Sequence, residues 1–424
     1  MFSNIKTILL IVLALCVIAV GISEAAMKYT FKPTLFLGEG SYDIATNPGG
    51  VTVAAWGGGG DWDAYKPLCV QRYNANGIPI GNLIRIVASQ YMSISNPAVD
   101  IDVLGGFAVA YRDYNQSLDL PTISASIYDA NGKFIKKLPV IPNDVYYDVD
   151  KLDLSMDANG NFVVTWAVHY GNDLNIRARR FDAQGNPTTD VFDVAASVGD
   201  KDSSPHIAMN GAGDFAIVYQ RSRTADCVDT QYSKANQCDD VLVQRFNSQA
   251  VPQGNVIVVS DGNKSLDQAP DIAMDDEGNF VVVWQHFRDL CQGMLACDDI
   301  VAKRYNSAGK LVGNLNVVAD YSNADTVPRI VMAGQAKFVV MWSRIDPSPD
   351  SVLFHAYDAA GLNLTAKAVN ITDGMSTSSN DNSVPAVGIS DKGVINVIWG
   401  VSLPTSWGDD ASALLYRRLI PSTW

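Results

Sequence analysis

Seven equivalent positions along the chain read Asp43, Ala98, Asp153, His206, Asp271, Arg329 and Ala386. Each follows the opening of a phrase that the sequence repeats. If the copies stand around an axis, three carboxylates, an imidazole and a guanidinium converge near it. Such a group can bind a cation or a polar ligand, or hold an acid and a base whose pKa values are driven apart. The competing reading is a ring of solvated or mutually paired charges around a water-filled channel. Two further histidines, His169 and His286, follow the phrase into segments that read as loops, whereas His355 reads as core. Trp62 and Trp407 offer aromatic surface on which a sugar can stack. Asp61, Asp63, Asp409 and Asp410 beside them supply spare carboxyls for hydrolysis. The sequence has no His-Glu-x-x-His, Cys-x-x-Cys pair, Gly-x-Ser-x-Gly or phosphate-cradling glycine loop. Asp157-Ala-Asn-Gly-Asn begins like a calcium loop but lacks the closing bidentate Glu, so it reads as an Asx turn. No cofactor and no metal site are expected, and a bound Ca2+ has no support in the sequence.

The elements that position these residues are strands. The phrase is clearest from Pro270 to Trp284, where Ile272 and Met274 are the apolar beats of one strand and Asp275 to Asn279 form a turn. Phe280 to Trp284 is a β-branched run closed by an aromatic, the pattern of a buried strand. Related phrases end at Trp56, Tyr111, Trp166, Tyr219, Trp284, Trp342 and Trp399, at spacings of 55, 55, 53, 65, 58 and 57 residues. Each copy continues with a third strand, such as Val243-Gln-Arg-Phe, a Gly-bearing turn, and a fourth strand. Four short strands per unit without helical periodicity predict an all-β fold, a seven-bladed β-propeller. The expected blades are roughly 40–90, 93–142, 148–197, 202–260, 267–320, 325–373 and 382–424. The last ends after its third strand, and a spare strand at 31–37 precedes the first. Pairing the two would close the ring and remove its open edges. Two β-sandwich domains are the alternative, but they leave the repeat unexplained.

A formal net charge of −14 excludes nucleic acid and anionic membrane surfaces as natural partners. Lys6, the apolar run Ile8 to Ile22 and the exit Ser23-Glu24-Ala25-Ala26 read as an export signal over 1–26, leaving 27–424 as the mature domain. The expected location is therefore secreted, periplasmic or cell-surface, with no membrane contact after cleavage. The pairs Cys227/Cys238 and Cys291/Cys297 each fall within one loop and each ends in Cys-Asp-Asp before Val or Ile. They are expected to form two local disulfides; Cys69 lies in a strand and reads as a buried free thiol.

The aromatic that ends the second strand recurs in every copy, which suits interblade packing better than one sugar platform. The arginine series Arg72, Arg180, Arg245, Arg304 and Arg418 likewise reads as structural, through interblade ion pairs. The long connections follow the second and fourth strands, on one expected face, as befits a binding face on a rigid scaffold. The phrase Pro-x-Ile-Ala-Met-Asp-x-x-Gly-Asn-Phe-Val-Val-x-Trp, with the later Arg-Phe/Tyr-Asn/Asp-x-x-Gly, resembles a tandem repeat of secreted and surface-associated bacterial proteins. That resemblance implies a propeller outside the cytoplasm and no particular catalytic residues. A weaker similarity is to sialidases and related glycosidases, whose blade turns read Ser-x-Asp-x-Gly-x-Thr-Trp; Ser155-Met-Asp-Ala-Asn-Gly-Asn-Phe and Ser390-Asp-Lys-Gly depart from it. The leading functional expectation is a monomeric exported scaffold that binds a carbohydrate, protein or surface component through its loop face. The alternatives are an extracellular glycoside hydrolase or polysaccharide lyase using channel-mouth carboxylates, and a purely structural module.

Overall fold

The computed structural model describes residues 29–31, 35–38, 40–57, 67–87, 94–115, 120–142, 148–170, 173–196, 200–223, 238–260, 266–287, 298–318, 324–345, 351–372, 384–404, 410–422 and 424. These residues form strands and turns with no helix among them, and none of their elements is a helix able to cross a membrane. Successive strands pair antiparallel in quartets. Asp267–Met274, Phe280–Phe287, Asp298–Tyr305 and Leu311–Val318 make one four-stranded sheet in chain order, from inner strand a to outer strand d. The sheets that open with Ser41–Thr46, Ser95–Ile101 and Ala324–Met332 repeat that order. An eight-stranded sheet runs from Asp148–Met156 to Ile257–Val258, its two quartets bridged by one parallel pair, Leu174 with Lys201. The inner strands lie side by side in chain order, and Ala386–Ile389 packs on Ser41–Thr46.

Local chemistry accounts for the quartet. In the turn between Met274 and Phe280, Asp275 Oδ1 accepts the backbone N–H groups of Glu277 at 3.0 Å and Asn279 at 2.8 Å. Gly278 sits at φ 80°, which a side chain would resist. Asp157 makes the same Asx turn to Asn159 and Asn161, both at 2.9 Å. The alternation between apolar and polar residues then buries one row after another. All seven strand-b aromatics are buried, with Trp166, Trp342 and Trp399 wholly so. Below them the first residue of strand b stacks on the aromatic that ends strand c, as in Phe280 on Tyr305 at 5.0 Å and Phe338 on Tyr357 at 4.9 Å. The aromatic series is packing, and it joins one quartet to the next: Trp284 belongs to a cluster with Val218 and Val243.

The strand-c arginines are structural by a different route from the ion pairs expected. Arg72, Arg245, Arg304 and Arg418 donate to backbone carbonyls of a neighbouring turn, at Ala130, Ser307, Ala359 with Ala360, and Ala75. A turn leaves carbonyls without ladder partners, and a guanidinium can satisfy two at once. Arg180 alone reaches an acid, Asp157 at 3.2 Å, while also donating to Gly213 O at 3.1 Å. The contact from Arg418 to Ala75 ties the end of the chain to its beginning.

At the front, Tyr29–Phe31 and Leu35–Gly38 are strands at the two ends of the expected 31–37, and residues 32–34 lie outside the described residues. Both pair antiparallel with the last strand, Asp410–Pro421, in registers Tyr29 to Pro421 and Leu35 to Tyr416. Cys69 is a free thiol but only half-buried. Cys238 is engaged, while Cys227, Cys291 and Cys297 lie outside the described residues.

Four inner strands carry the same distortion. Asn96, Ser204, Ala269 and Val327 have φ of 51°, 51°, 49° and 46°, and each precedes a proline. At each the register to strand b slips. A β-branched residue in that region is a true outlier, so the fold holds Val327 there. Its N–H finds Gln285 Oε1 at 3.3 Å, and the N–H of Ala269 finds Gln220 Oε1 at 3.4 Å. The bulge separates the stretch of strand a that carries His206, Asp271 and Arg329 from the stretch that carries Asp202, Asp267 and Asp325.

Candidate functional site

Below the bulge, the charged residues of the repeated position do converge. His206 Nδ1 lies 3.3 Å from Asp153 Oδ2 and 3.6 Å from Asp271 Oδ1. The Arg329 charge acts on both Asp43 and Asp271, and that of Asp153 on Asp43. Their oxygens, however, are already engaged. Asp43 Oδ2 accepts the Val99 N–H at 2.8 Å, Asp153 Oδ2 that of Ile207 at 2.9 Å, and Asp271 Oδ2 that of Ile330 at 2.8 Å. The other oxygens of Asp153 and Asp271 accept the N–H of the following residue, at 2.8 and 2.9 Å. Each carboxyl thus clamps the inner strand of its own quartet to that of the next. Asp100, which sequence reasoning passed over, does the same for Ile101 and Met156, both at 2.8 Å. The clamp has a legible signature in retrospect, Asp followed by Ile or Leu within strand a.

Burial sets the protonation of this ring. It pushes Asp43 up to about 8, with the Asp153 charge adding to the rise, and Asp100 up to about 6. Asp271 is also raised by burial, against the pull of His206 and Arg329. Burial thus favours the protonated form of Asp43. The arrangement fits mutual pairing and interstrand clamping better than an open ligand site.

Above the bulge a second constellation appears that the sequence reading missed. Asp202, Asp267 and Asp325 are 0%, 1% and 0% exposed. Each faces, across to strand b, a basic side chain two residues beyond the buried aromatic. Asp202 holds Arg221 through Nε at 2.7 Å and Nη2 at 2.9 Å. Asp325 holds Arg344 the same way, at 2.8 and 2.9 Å. Asp267 instead holds His286, its Oδ1 lying 2.7 Å from Nδ1. Trp284 Nε1 donates to Asp267 and Trp342 Nε1 to Asp325, each at 2.8 Å. The signal was in the spacing: the Asp precedes the aromatic by 17 residues and the basic side chain by 19, three times over.

The Cys-Asp-Asp words extend this layer. Gln268 Nε2 donates to Asp239 Oδ2 at 2.6 Å, and Gln285 Nε2 to Asp298 Oδ2 at 2.8 Å. Arg223 pairs with Asp240. Burial raises the Asp240 and Asp298 carboxyls, opposed by Arg223 and by Gln285 respectively. Of the other expected site residues, His169 is exposed near the end of Phe162–Tyr170, its backbone opposite Asp148, apart from the ring. Asp410 opens the last strand. Trp62, Trp407, Asp61, Asp63 and Asp409 lie outside the described residues.

The indole contacts give a direct test. Trp284 donates to a buried carboxylate, whereas Trp166 Nε1 is buried with no partner among the described residues. Both lose ring volume on change to Phe, so the difference isolates the hydrogen bond. Trp284→Phe should cost about 1–3 kcal/mol more than Trp166→Phe in urea unfolding. Equal costs would show that Asp267 does not need the indole.

No protein-family model matches the chain, and no curated sequence matches it. Solved structures do. A family PL25 polysaccharide lyase, an ulvan lyase, superposes with a TM-score of 0.56 at 10% identity, over 89% of this chain and 94% of that one. The same holds for that lyase bound to -[GlcA(1-4)Rha3S]-. The polysaccharide lyase Uly1 superposes with a TM-score of 0.52 at 12% identity, over 95% of this chain and 93% of that one. At such identity the likeness defines the fold, a β-propeller built from four-stranded antiparallel blades.

Proposed function

We propose that the protein is a seven-bladed propeller, closed by its N-terminal strands, that acts on a carbohydrate polymer across the face bearing the long b–c connections. The reading is carried by the half-exposed hydrogen-bonding groups at the upper ends of three successive quartets: Arg221, Arg223, Gln268, His286 and Arg344. Such groups match hydroxyls and carboxylates of a sugar chain rather than an apolar ligand. Support comes also from the shared fold with two proteins named as polysaccharide lyases. We therefore favour a carbohydrate-active protein over a scaffold that only presents a ligand, and over carboxylates of the axial ring as its catalytic groups. Export with loss of 1–26, a monomeric state, and local Cys227–Cys238 and Cys291–Cys297 disulfides complete the proposal.

The test is a panel of acidic and neutral polysaccharides incubated with residues 27–424. Cleavage is followed through reducing ends and through the ultraviolet absorbance of unsaturated uronate, and binding through retardation in affinity gels. Cleavage of a polymer is the expected outcome. Retardation without cleavage would restore the scaffold reading, and neither result on any polymer would overturn both.

A further inference from the structure

In five quartets the turn between strands a and b sits against the turn between strands c and d. A Cβ on Gly50, Gly105, Gly160, Gly213 or Gly278 would stand 3.1–3.7 Å from the Cβ of Ala75, Ala130, Ala183, Ser248 or Ser307 respectively. Each of these small residues lies two beyond the aromatic that ends strand c. The last sheet is built differently. Its strand c, Asp410–Pro421, is paired by Tyr29–Phe31 and Leu35–Gly38 from the front of the chain, so no c–d turn leads to these partners. Trp424 fills the place. Gly393, at φ 71° in the last a–b turn, lies so near the indole that a Cβ there would overlap Cγ, Cδ2 and Cε3 of the ring.

The same indole reaches across the joint to the sheet that opens with Ala324–Met332. Lys337 Nζ stands over its ring, 5.5 Å from the centroid. Like Leu364 and Val369, Trp424 packs against a cluster that includes Ala356, Ile389, Ile395 and Leu419. Ala356 holds the position before the strand-c aromatic. At that position Arg72, Arg245, Arg304 and Arg418 fasten their joints to turn carbonyls. Elsewhere this joint keeps the contact, here from Arg417 to Ile371 O, that Arg179 and Lys303 make to Val140 O and Val259 O. Its fastening beside the turns is thus an indole instead of a guanidinium. Trp424 Nε1 is buried with no partner among the described residues, so the N–H gains a hydrogen bond to water when the ring swings out. A guanidinium seated on turn carbonyls gives bonds up when it leaves. We propose that Trp424 is a releasable latch across this joint, and that the two sheets part here before any other neighbouring pair does.

The test is amide hydrogen exchange of the folded protein, which reports local opening sheet by sheet. In the wild type, ladder amides of Ile395–Pro404 and Asp410–Pro421 should exchange faster than those of Phe162–Tyr170, which lies in a sheet away from the joint. The reverse order would overturn the claim that this joint opens first. Trp424→Ala should speed exchange in the last sheet by about 10–100-fold and leave Phe162–Tyr170 at the wild-type rate. No change in the last sheet, or an equal rise in both, would overturn the latch. Gly393→Ala separates the seat from general packing. Its backbone strain is the same with or without the indole, so only the overlap with Trp424 differs between the two backgrounds. Its effect on exchange in the last sheet should be about tenfold larger in the wild type than in Trp424→Ala. Equal effects in both would show that the indole does not occupy this seat.

Discussion

Arg344→Met is expected to lower the unfolding free energy by about 3–5 kcal/mol at neutral pH. The side chain itself packs little that methionine cannot replace. What it leaves behind is Asp325, with no exposure, whose two oxygens lie 2.8 and 2.9 Å from the guanidinium. A carboxylate that has lost both water and its counter-charge bears its full desolvation cost. Adding Asp325→Asn should therefore return most of the loss, since an amide oxygen can still accept from Trp342 Nε1 without a compensating charge. Urea unfolding of the two single variants and the double variant gives the coupling directly. A cost below about 1 kcal/mol for Arg344→Met would place this pair among ordinary surface ion pairs.

The second expected result concerns pH. Asp43 and Asp100 are pushed by burial to about 8 and about 6, above the value near 4 of an unfolded chain. Between those limits the folded protein binds protons that the unfolded chain has released, so stability falls as pH rises. The fall begins near pH 4 and continues through about 6 for Asp100 and about 8 for Asp43. The clamps survive protonation, because the carbonyl oxygen of a neutral carboxyl still accepts the Val99 or Met156 N–H. Asn at both positions keeps that acceptor and has nothing to titrate. Melting temperatures of the wild type should decline from pH 5 to pH 8.5, and those of Asp43→Asn/Asp100→Asn should follow a flatter course over the same range. Parallel courses would mean that other groups set the slope.

Much of this fold is legible in the sequence because strands advertise themselves by period. The run Phe280 to Trp284 and the turn Asp275 to Asn279 each have one stable local solution, and repetition makes every copy check the others. The axial position was legible as a place, and its hydrogen bonds were not. Asp43, Asp153 and Asp271 do meet near one axis, but a sequence does not show that each Oδ2 is already taken by an N–H from the next strand. The arginine series is a similar case, since apart from the Arg180–Asp157 pair the partners described are backbone carbonyls, which have no letter. The sockets were missed for another reason. Asp202, Asp267 and Asp325 stand above a bulge that shifts register, so alternation alone assigns them to loops. Only the constant distance to Tyr219-x-Arg221, Trp284-x-His286 and Trp342-x-Arg344 betrays them.

The pairing of Tyr29–Phe31 and Leu35–Gly38 with Asp410–Pro421 also bears on how the molecule meets proteases. A chain whose two ends share one ladder has no loose half. A single cut in a connection such as 224–237 yields two fragments, yet each remains fastened to the other at the common sheet and across the packed face on the opposite side of the cut. Nicked molecules should then keep their size in solution and separate only when denatured and reduced, because the proposed Cys227–Cys238 disulfide spans most cuts in that connection. Damage to one loop would then be a local loss and not the end of the particle.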